Sequence, residues 1–127
     1  EALVPEYMAA LRHEIVRWGG LLGRLRVKTI FFGGGTPSYV PQIESAAVIG
    51  ACRRAFAVDG DAERTLEANP GDVNAEKLSA WLASGINRLS IGVQSFDDGL
   101  LKLLGRRHTA DEAGGIRTCP HRKRRRR

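Results

Sequence analysis

Hydrophobic positions along the chain change their spacing several times, and each change marks a predicted element. Val4, Tyr7, Met8, Leu11, Ile15, Trp18 and Leu22 recur at three- and four-residue intervals, while Glu6, Arg12, His13 and Arg17 fall largely on other faces. A turn of about 3.6 residues puts such positions on one stripe, so this stretch reads as an amphipathic helix. Pro5 suits its first turn, and Gly19, Gly20 and Gly23 loosen or end it. "VKTIFF", dense in β-branched and aromatic residues, then reads as a short buried strand stopped by Gly33.

The alternation repeats twice. Pro41 opens a second helix running to about Phe56, with Ile43, Ala47, Val48, Ala51, Cys52, Ala55 and Phe56 as its apolar face. "AERTLEANP" is a second strand, cut off by Pro70 and Gly71. A third helix from about Asn74 to Ser84 carries Leu78, Trp81 and Leu82, with Gly85 as its stop. "INRLSIGVQSF" is a third strand and "DDGLLKLLGRRH" a fourth, short helix. Strands joined by connections long enough for a helix run parallel, with right-handed crossovers. The expected fold class is therefore α/β, about three parallel strands with flanking helices.

Length and charge change this picture only at one end. With 127 residues, 43% of them hydrophobic, the chain is the size of one modest domain. The net charge of +6 suggests nucleic acid until it is located. "GGIRTCPHRKRRRR" holds six arginines, one lysine and no acid, which leaves 13 basic against 14 acidic residues in positions 1–113. Nucleic-acid binding is thereby confined to non-specific, salt-sensitive contact through Arg122 to Arg127, and a solvated, disordered end is the plainer reading.

Cys52 and Cys119 stand 67 positions apart and make no disulfide framework or metal knuckle. Cys52 reads as a small core residue. No apolar run approaches a membrane span, and the N-terminus has no signal-peptide pattern, so a cytoplasmic chain is expected.

In parallel α/β folds, ligands gather at the carboxyl ends of the strands. Here those ends are Gly33-Gly34-Gly35-Thr36, Glu67-Ala68-Asn69 and Gln94-Ser95. Alternation along the second strand puts Thr65, Glu67 and Asn69 opposite Leu66 and Ala68; along the third it puts Ser90, Gly92 and Gln94 opposite Leu89, Ile91 and Val93. If the aliphatic sets face the helices, Glu67 and Gln94 point together into a cleft. Gly33 to Ser38 is not a Walker loop, since no Gly-Lys-Ser/Thr follows, and Ser38 fills the third small position of a dinucleotide fingerprint. A main chain bared by glycine could instead clasp a charged amino-acid head group, with Glu67 available to an ammonium or to hydroxyls.

"FFGGGTPS", "TLEANPG", "GINRLSIGVQSF" and "LLGRRHTADEA", in this order, make the chain resemble radical S-adenosylmethionine proteins related to oxygen-independent coproporphyrinogen III oxidase. "LEANPG" and "LGRRHTADEA" bring it nearest to the branch regarded as haem chaperones; the oxidase branch, which decarboxylates coproporphyrinogen III, is the alternative. The resemblance implies a partial barrel of parallel strands with S-adenosylmethionine across the strand tops. Gly34, Gly35 and Thr36 would contact its methionine amino end, and Glu67, Gln94 and Arg106 would hold the rest. It also implies a [4Fe-4S] cluster on a C-x3-C-x2-C loop, and haem or a porphyrin as the partner of the parent protein.

Neither Cys52 nor Cys119 matches a position in that loop, so these 127 residues are expected to be an internal piece without radical chemistry of its own. The resemblance ends near Ala113. Residues 1–113 are read as a partial core, and 114–127 as a truncated or frameshifted end, with a genuine basic tail as the lesser reading. His13 and His108 are isolated; both are read as surface residues, and neither is placed by a haem-ligand pattern.

Overall fold

The computed structural model describes residues 3–116, and the alternation of helices and strands read from the sequence is the architecture it has. Helix α1 (Val4–Leu22) leads into strand β1 (Arg26–Phe32), α2 (Gln42–Ala55) into β2 (Ala57–Ala68), and α3 (Ala75–Ser84) into β3 (Arg88–Ile91). Two short helices follow, α4 (Asp98–Leu103) and α5 (Ala110–Gly115). The strands form one parallel sheet in the order β1-β2-β3, with Phe32 opposite Leu66 and Glu67 opposite Ser90. Among the described residues no helix is long and apolar enough to cross a membrane.

Burial follows the strand parity expected of β2. Leu66 and Ala68 face the helices, where Ile49 of α2, Trp81 of α3 and Ile86 close a core that Phe32, Leu78 and Leu89 extend. Arg64 shares that face and is buried, its Nε donating to the Gly85 carbonyl at 2.5 Å. Gly85 takes a left-handed backbone, φ 103°, and ends α3 as expected, while Asn74 caps its start by accepting from the Lys77 N–H.

Several expectations need correction. Helix α1 ends at Gly23, φ 69°, one of the three glycines expected to loosen or end it, and runs unbroken through Gly19 and Gly20. A Cβ on Gly19 would lie 2.6 Å from that of Ala55, so this glycine is what lets α1 approach α2. An ion pair between Arg12 and Glu44 joins the same two helices. Much of the expected apolar stripe is exposed, including Tyr7, Trp18 and Leu22; Met8 is the large side chain that α1 buries. On α2, Ile43 is likewise exposed, and Ile49, absent from the expected face, is buried instead.

Strand β2 begins at Ala57, earlier than "AERTLEANP", because Ala57 and Val58 pair with Arg26 and Val27 ahead of a shift in register. Asp59-Gly60-Asp61 lies within this stretch and hides it from an alternation search. Strand β3 is shorter than expected and stops at Ile91. Two tight turns follow, Val93 N–H to Ile91 O at 3.0 Å and Ser95 N–H to Val93 O at 2.8 Å.

Helix α5 is not among the expected elements, although Thr109-Ala110-Asp111-Glu112 carries its capping box. His108 is buried, with 6% of its surface exposed, and is not the surface residue expected. His13 is exposed. Cys119 and the Arg122–Arg127 run lie outside the described residues.

Candidate functional site

At the carboxyl ends of the three strands lies an open cleft of about 390 Å³. Gly35, Thr36 and Pro37 from the loop after β1, Glu67 and Asn69 from the end of β2, and Ser90, Gly92 and Gln94 from β3 and its loop line it; Arg106 reaches in from beyond α4. Five of the six site residues expected from sequence therefore stand around one space. The sixth, Gly34, adjoins it, with its N–H 3.4 Å from Glu67 Oε2.

The glycine loop is bare for a conformational reason at two positions. Gly34 and Gly35 have φ of 83° and 60°, where side chains of L-residues are strained, and nothing lies within 4 Å of where a Cβ would stand on either. Main-chain groups thus meet the cleft without side-chain cover. Gly33 differs, because a Cβ there would strike the Phe31 ring at 2.5 Å and approach Glu67 Oε2 at 3.2 Å. Downstream, the Ser38 hydroxyl is buried and donates to Asp72 Oδ2 at 2.6 Å. That bond joins the 3-10 turn Pro37–Tyr39 to the 3-10 turn Pro70–Asp72, and so ties the loop after β1 to the loop after β2.

Arg106 is anchored through one nitrogen. Its Nη2 donates to Asn69 Oδ1 at 2.9 Å and to the Gly92 carbonyl at 2.8 Å, and the half-buried side chain lines the cleft. Gly92 makes room for this, since a Cβ there would come within 3.1 Å of Gln94 Nε2 and 3.5 Å of Arg106 Nη2. Among the described residues Gln94 is the one non-glycine with positive φ, 67°. Such backbone costs on the order of 1–3 kcal/mol and collects at functional sites. The side chain therefore reaches the cleft through a turn, where strand alternation had been expected to carry it.

A carboxylate, a guanidinium, a primary amide and a naked main chain around one cleft suit a ligand bearing both charges and several hydroxyls. The Radical SAM superfamily profile matches residues 6–121. The chain belongs to the radical SAM superfamily. This radical SAM chain is 49% identical over 109 residues to radical S-adenosyl methionine domain-containing protein 1, mitochondrial, of Bos taurus, covering 83% of the chain and 25% of that protein. It is 41% identical over 106 residues to the heme chaperone HemW of Bacillus subtilis, covering 83% of the chain and 28% of the relative. The coproporphyrinogen III oxidase HemN of Escherichia coli, described as a radical SAM enzyme, superposes with a TM-score of 0.75 at 30% identity, over 89% of this chain and 28% of that one. The chain thus spans about a quarter of the length of these relatives.

The superfamily brings S-adenosylmethionine and a [4Fe-4S] cluster, and the two fit the described residues differently. The cleft offers an anionic and a cationic group to a zwitterionic amino acid, with glycine backbone beside them, so the donor set fits S-adenosylmethionine. For the cluster the described residues offer no such place. Among the described residues no group of three or more His, Cys, Asp or Glu side chains could hold a metal. Cys52 lies on α2 rather than at the cleft, and burial raises its thiol pKa, against the thiolate that ligation needs.

Asn69, Ser90, Ser38, Asp72 and His108 complete the arrangement and are not among the site residues that the sequence points to. Alternation does put Asn69 and Ser90 on the side of Glu67 and Gln94. The link from Ser38 to Asp72 joins residues 34 apart, and no local spacing announces it.

Proposed function

We propose that this chain supplies part of the S-adenosylmethionine site of a haem-chaperone-like radical SAM protein. Gly34, Gly35 and Thr36 take the methionine amino and carboxylate end, Glu67 accepts from the ammonium or from ribose hydroxyls, and Gln94 and the anchored edge of Arg106 hold the rest. The observation that carries this reading is the convergence of Gly35, Thr36, Glu67, Gln94 and Arg106 on one cleft. S-adenosylmethionine held by these residues would supply the adenosyl group for radical chemistry, with methionine released on one-electron reduction. The residues here bind and orient the cofactor.

Haem or a porphyrin as the handled molecule rests on "LEANPG", "LGRRHTADEA" and the 41% identity to the Bacillus subtilis heme chaperone. The second reading, an oxidase acting on coproporphyrinogen III, draws on the superposition with HemN. A cytoplasmic location belongs to the proposal too, although the bovine relative is mitochondrial by name.

Calorimetric titration of the full chain with S-adenosylmethionine tests the site. Saturable binding that Glu67→Gln weakens at least tenfold, without a change in melting temperature, is the expected result; equal affinity in both proteins removes Glu67 from the site. Haem titration followed by absorbance, beside a coproporphyrinogen III decarboxylation assay on the protein that carries this chain, separates the two branches. Haem binding without turnover supports the chaperone, and turnover supports the oxidase.

A further inference from the structure

Gln94 owes its place at the cleft to a turn that its own backbone does not favour. Its φ is 67°, and the Ser95 N–H closes a three-residue ring onto the Val93 carbonyl at 2.8 Å. That is a γ-turn of the rarer, positive-φ kind, which glycine or external restraint normally accompanies. Gln94 is not glycine, so the restraint has to come from its neighbours.

The two carbonyls that precede Gln94 in the chain, those of Gly92 and Val93, are held by one short segment. Arg106 Nη2 donates to the Gly92 carbonyl at 2.8 Å, and His108 Nε2 lies 2.9 Å from the Val93 carbonyl oxygen. A carbonyl oxygen only accepts, so this contact requires the hydrogen on Nε2. His108 is buried, and the segment that carries it is fixed on both sides. Gly105 turns the chain out of α4 with φ 66°, and Thr109 begins the capping box of α5. The Val93 oxygen thus receives two hydrogen bonds, one closing the turn and one from outside it.

We propose that His108 is a positioning residue for cofactor binding: through Nε2–H to the Val93 carbonyl it holds Gln94 in its left-handed turn and aims the amide into the cleft. The proposal rests on the S-adenosylmethionine reading for its consequence, though not for the clamp itself. "LGRRH" and "GVQSF" then form one device, with Arg106 touching the ligand and His108 setting the residue across from it. The burial of His108 also removes this imidazole from the surface groups open to a large planar ligand.

Four measurements on the full chain decide the matter. In the wild type, ¹⁵N shifts of the imidazole should show the Nε2–H form at neutral pH; hydrogen on Nδ1 alone would overturn the clamp without any mutation. In His108→Leu, the Gln94 Cα and Cβ shifts should leave the left-handed range, and S-adenosylmethionine affinity should fall roughly tenfold, the scale of one well-placed hydrogen bond. His108→Gln, which keeps an amide donor on a side chain of similar reach, should recover most of both. In a Gln94→Ala background, His108→Leu should cost no further affinity.

Unchanged Gln94 shifts in His108→Leu, or the same affinity loss with Gln94 already truncated, would reduce His108 to a packing residue. A wild-type chain that ignores S-adenosylmethionine would instead refute the cofactor reading. The Gln94 shifts and the imidazole tautomer would still judge the clamp.

Discussion

The two faces of β2 are built from the same twelve residues and are held by different physics. Toward the helices, Leu66 has no exposed surface and Ala68 has 6%, packed with Ile49, Trp81 and Ile86. On the other face Thr65 is just as buried, yet polar partners cover it: Glu63 Oε1 at 3.1 Å and Arg88 Nη1 at 3.3 Å. Glu67, two residues on, opens into the cleft. At Leu66 and Ala68 the first face is specified by volume and exclusion of water, with Arg64 tied in by its bond to the Gly85 carbonyl, and at Thr65 the second is specified by partner geometry. The first tolerates a change of shape poorly, and the second a change of chemistry.

The largest expected effect breaks that comparison if it fails. Leu66→Ala removes a fully buried side chain between two helices and should cost about 2–5 kcal/mol in urea unfolding, through lost transfer energy and the cavity left behind. Glu67→Ala, one position away, should leave the unfolding midpoint close to wild type and remove cofactor affinity. Equal destabilisation by both would mean that the faces are not separable and that Glu67 is structural.

Ser38→Ala comes next and sharpens the boundary between the two faces. Its hydroxyl is buried and donates to the Asp72 carboxylate at 2.6 Å. Hydrogen bonds to charged groups contribute about 1.5–3 kcal/mol, so a loss in that range is expected from denaturant titration. Because the bond ties the loops after β1 and β2 together, cofactor affinity should fall in the same variant. Loss of stability with affinity intact would show that the glycine loop keeps its shape without this tie.

How far the sequence reveals such features depends on whether they are local. The alternation of Leu66 and Ala68 with Thr65 and Glu67 is written in neighbouring residues, and so is the stop at Gly85; both were legible. The glycine triplet announced an unusual backbone, and Gly34 and Gly35 have one. The amphipathic stripe of α1 was legible as a helix but not as a buried face, because what covers Tyr7 or Trp18 is not encoded beside them. Gly19 read only as loosening or ending the helix, because its use, a close approach to Ala55, depends on a residue 36 positions away. Gln94 was placed at the cleft on strand alternation that ends at Ile91, and the turn that carries it there depends on carbonyls held by Arg106 and His108.

A smaller effect is expected at α5, whose Thr109 side chain accepts from the Glu112 N–H while Glu112 accepts from the Thr109 N–H. Thr109→Ala should cost about 1 kcal/mol, the usual value of an N-cap. Since α5 packs on the Pro70–Asp72 turn, the same variant should loosen the back of the cleft, visible as faster amide exchange at Val73, whose N–H bonds the Pro70 carbonyl at 3.1 Å. Faster exchange confined to α5 would detach that helix from the site.

The smallest effect lies at the other end of the sheet, where β1 and β2 start, away from the cleft. Arg26 Nε donates to both carboxylate oxygens of Asp59, at 2.8 and 3.0 Å, beside the shift in register. That hydrogen bond, with the nearby charges of Arg26 and Lys28, holds the Asp59 carboxyl below its ordinary range despite an opposing contribution from burial. A carboxyl whose pKa is lower folded than unfolded stabilises the fold above the unfolded value and loses that contribution as pH falls through the folded one. The melting temperatures of wild type and Asp59→Asn should therefore differ slightly at neutral pH. The gap should close on acidification through and below the ordinary aspartate range, and narrow in high salt, as expected for a pair whose arginine is open to solvent. A gap that widens with acid would reverse the sign. A gap as large as that of Leu66→Ala would mean that partner geometry at an exposed strand end can match the packed face, and the contrast between the two faces of β2 would no longer hold.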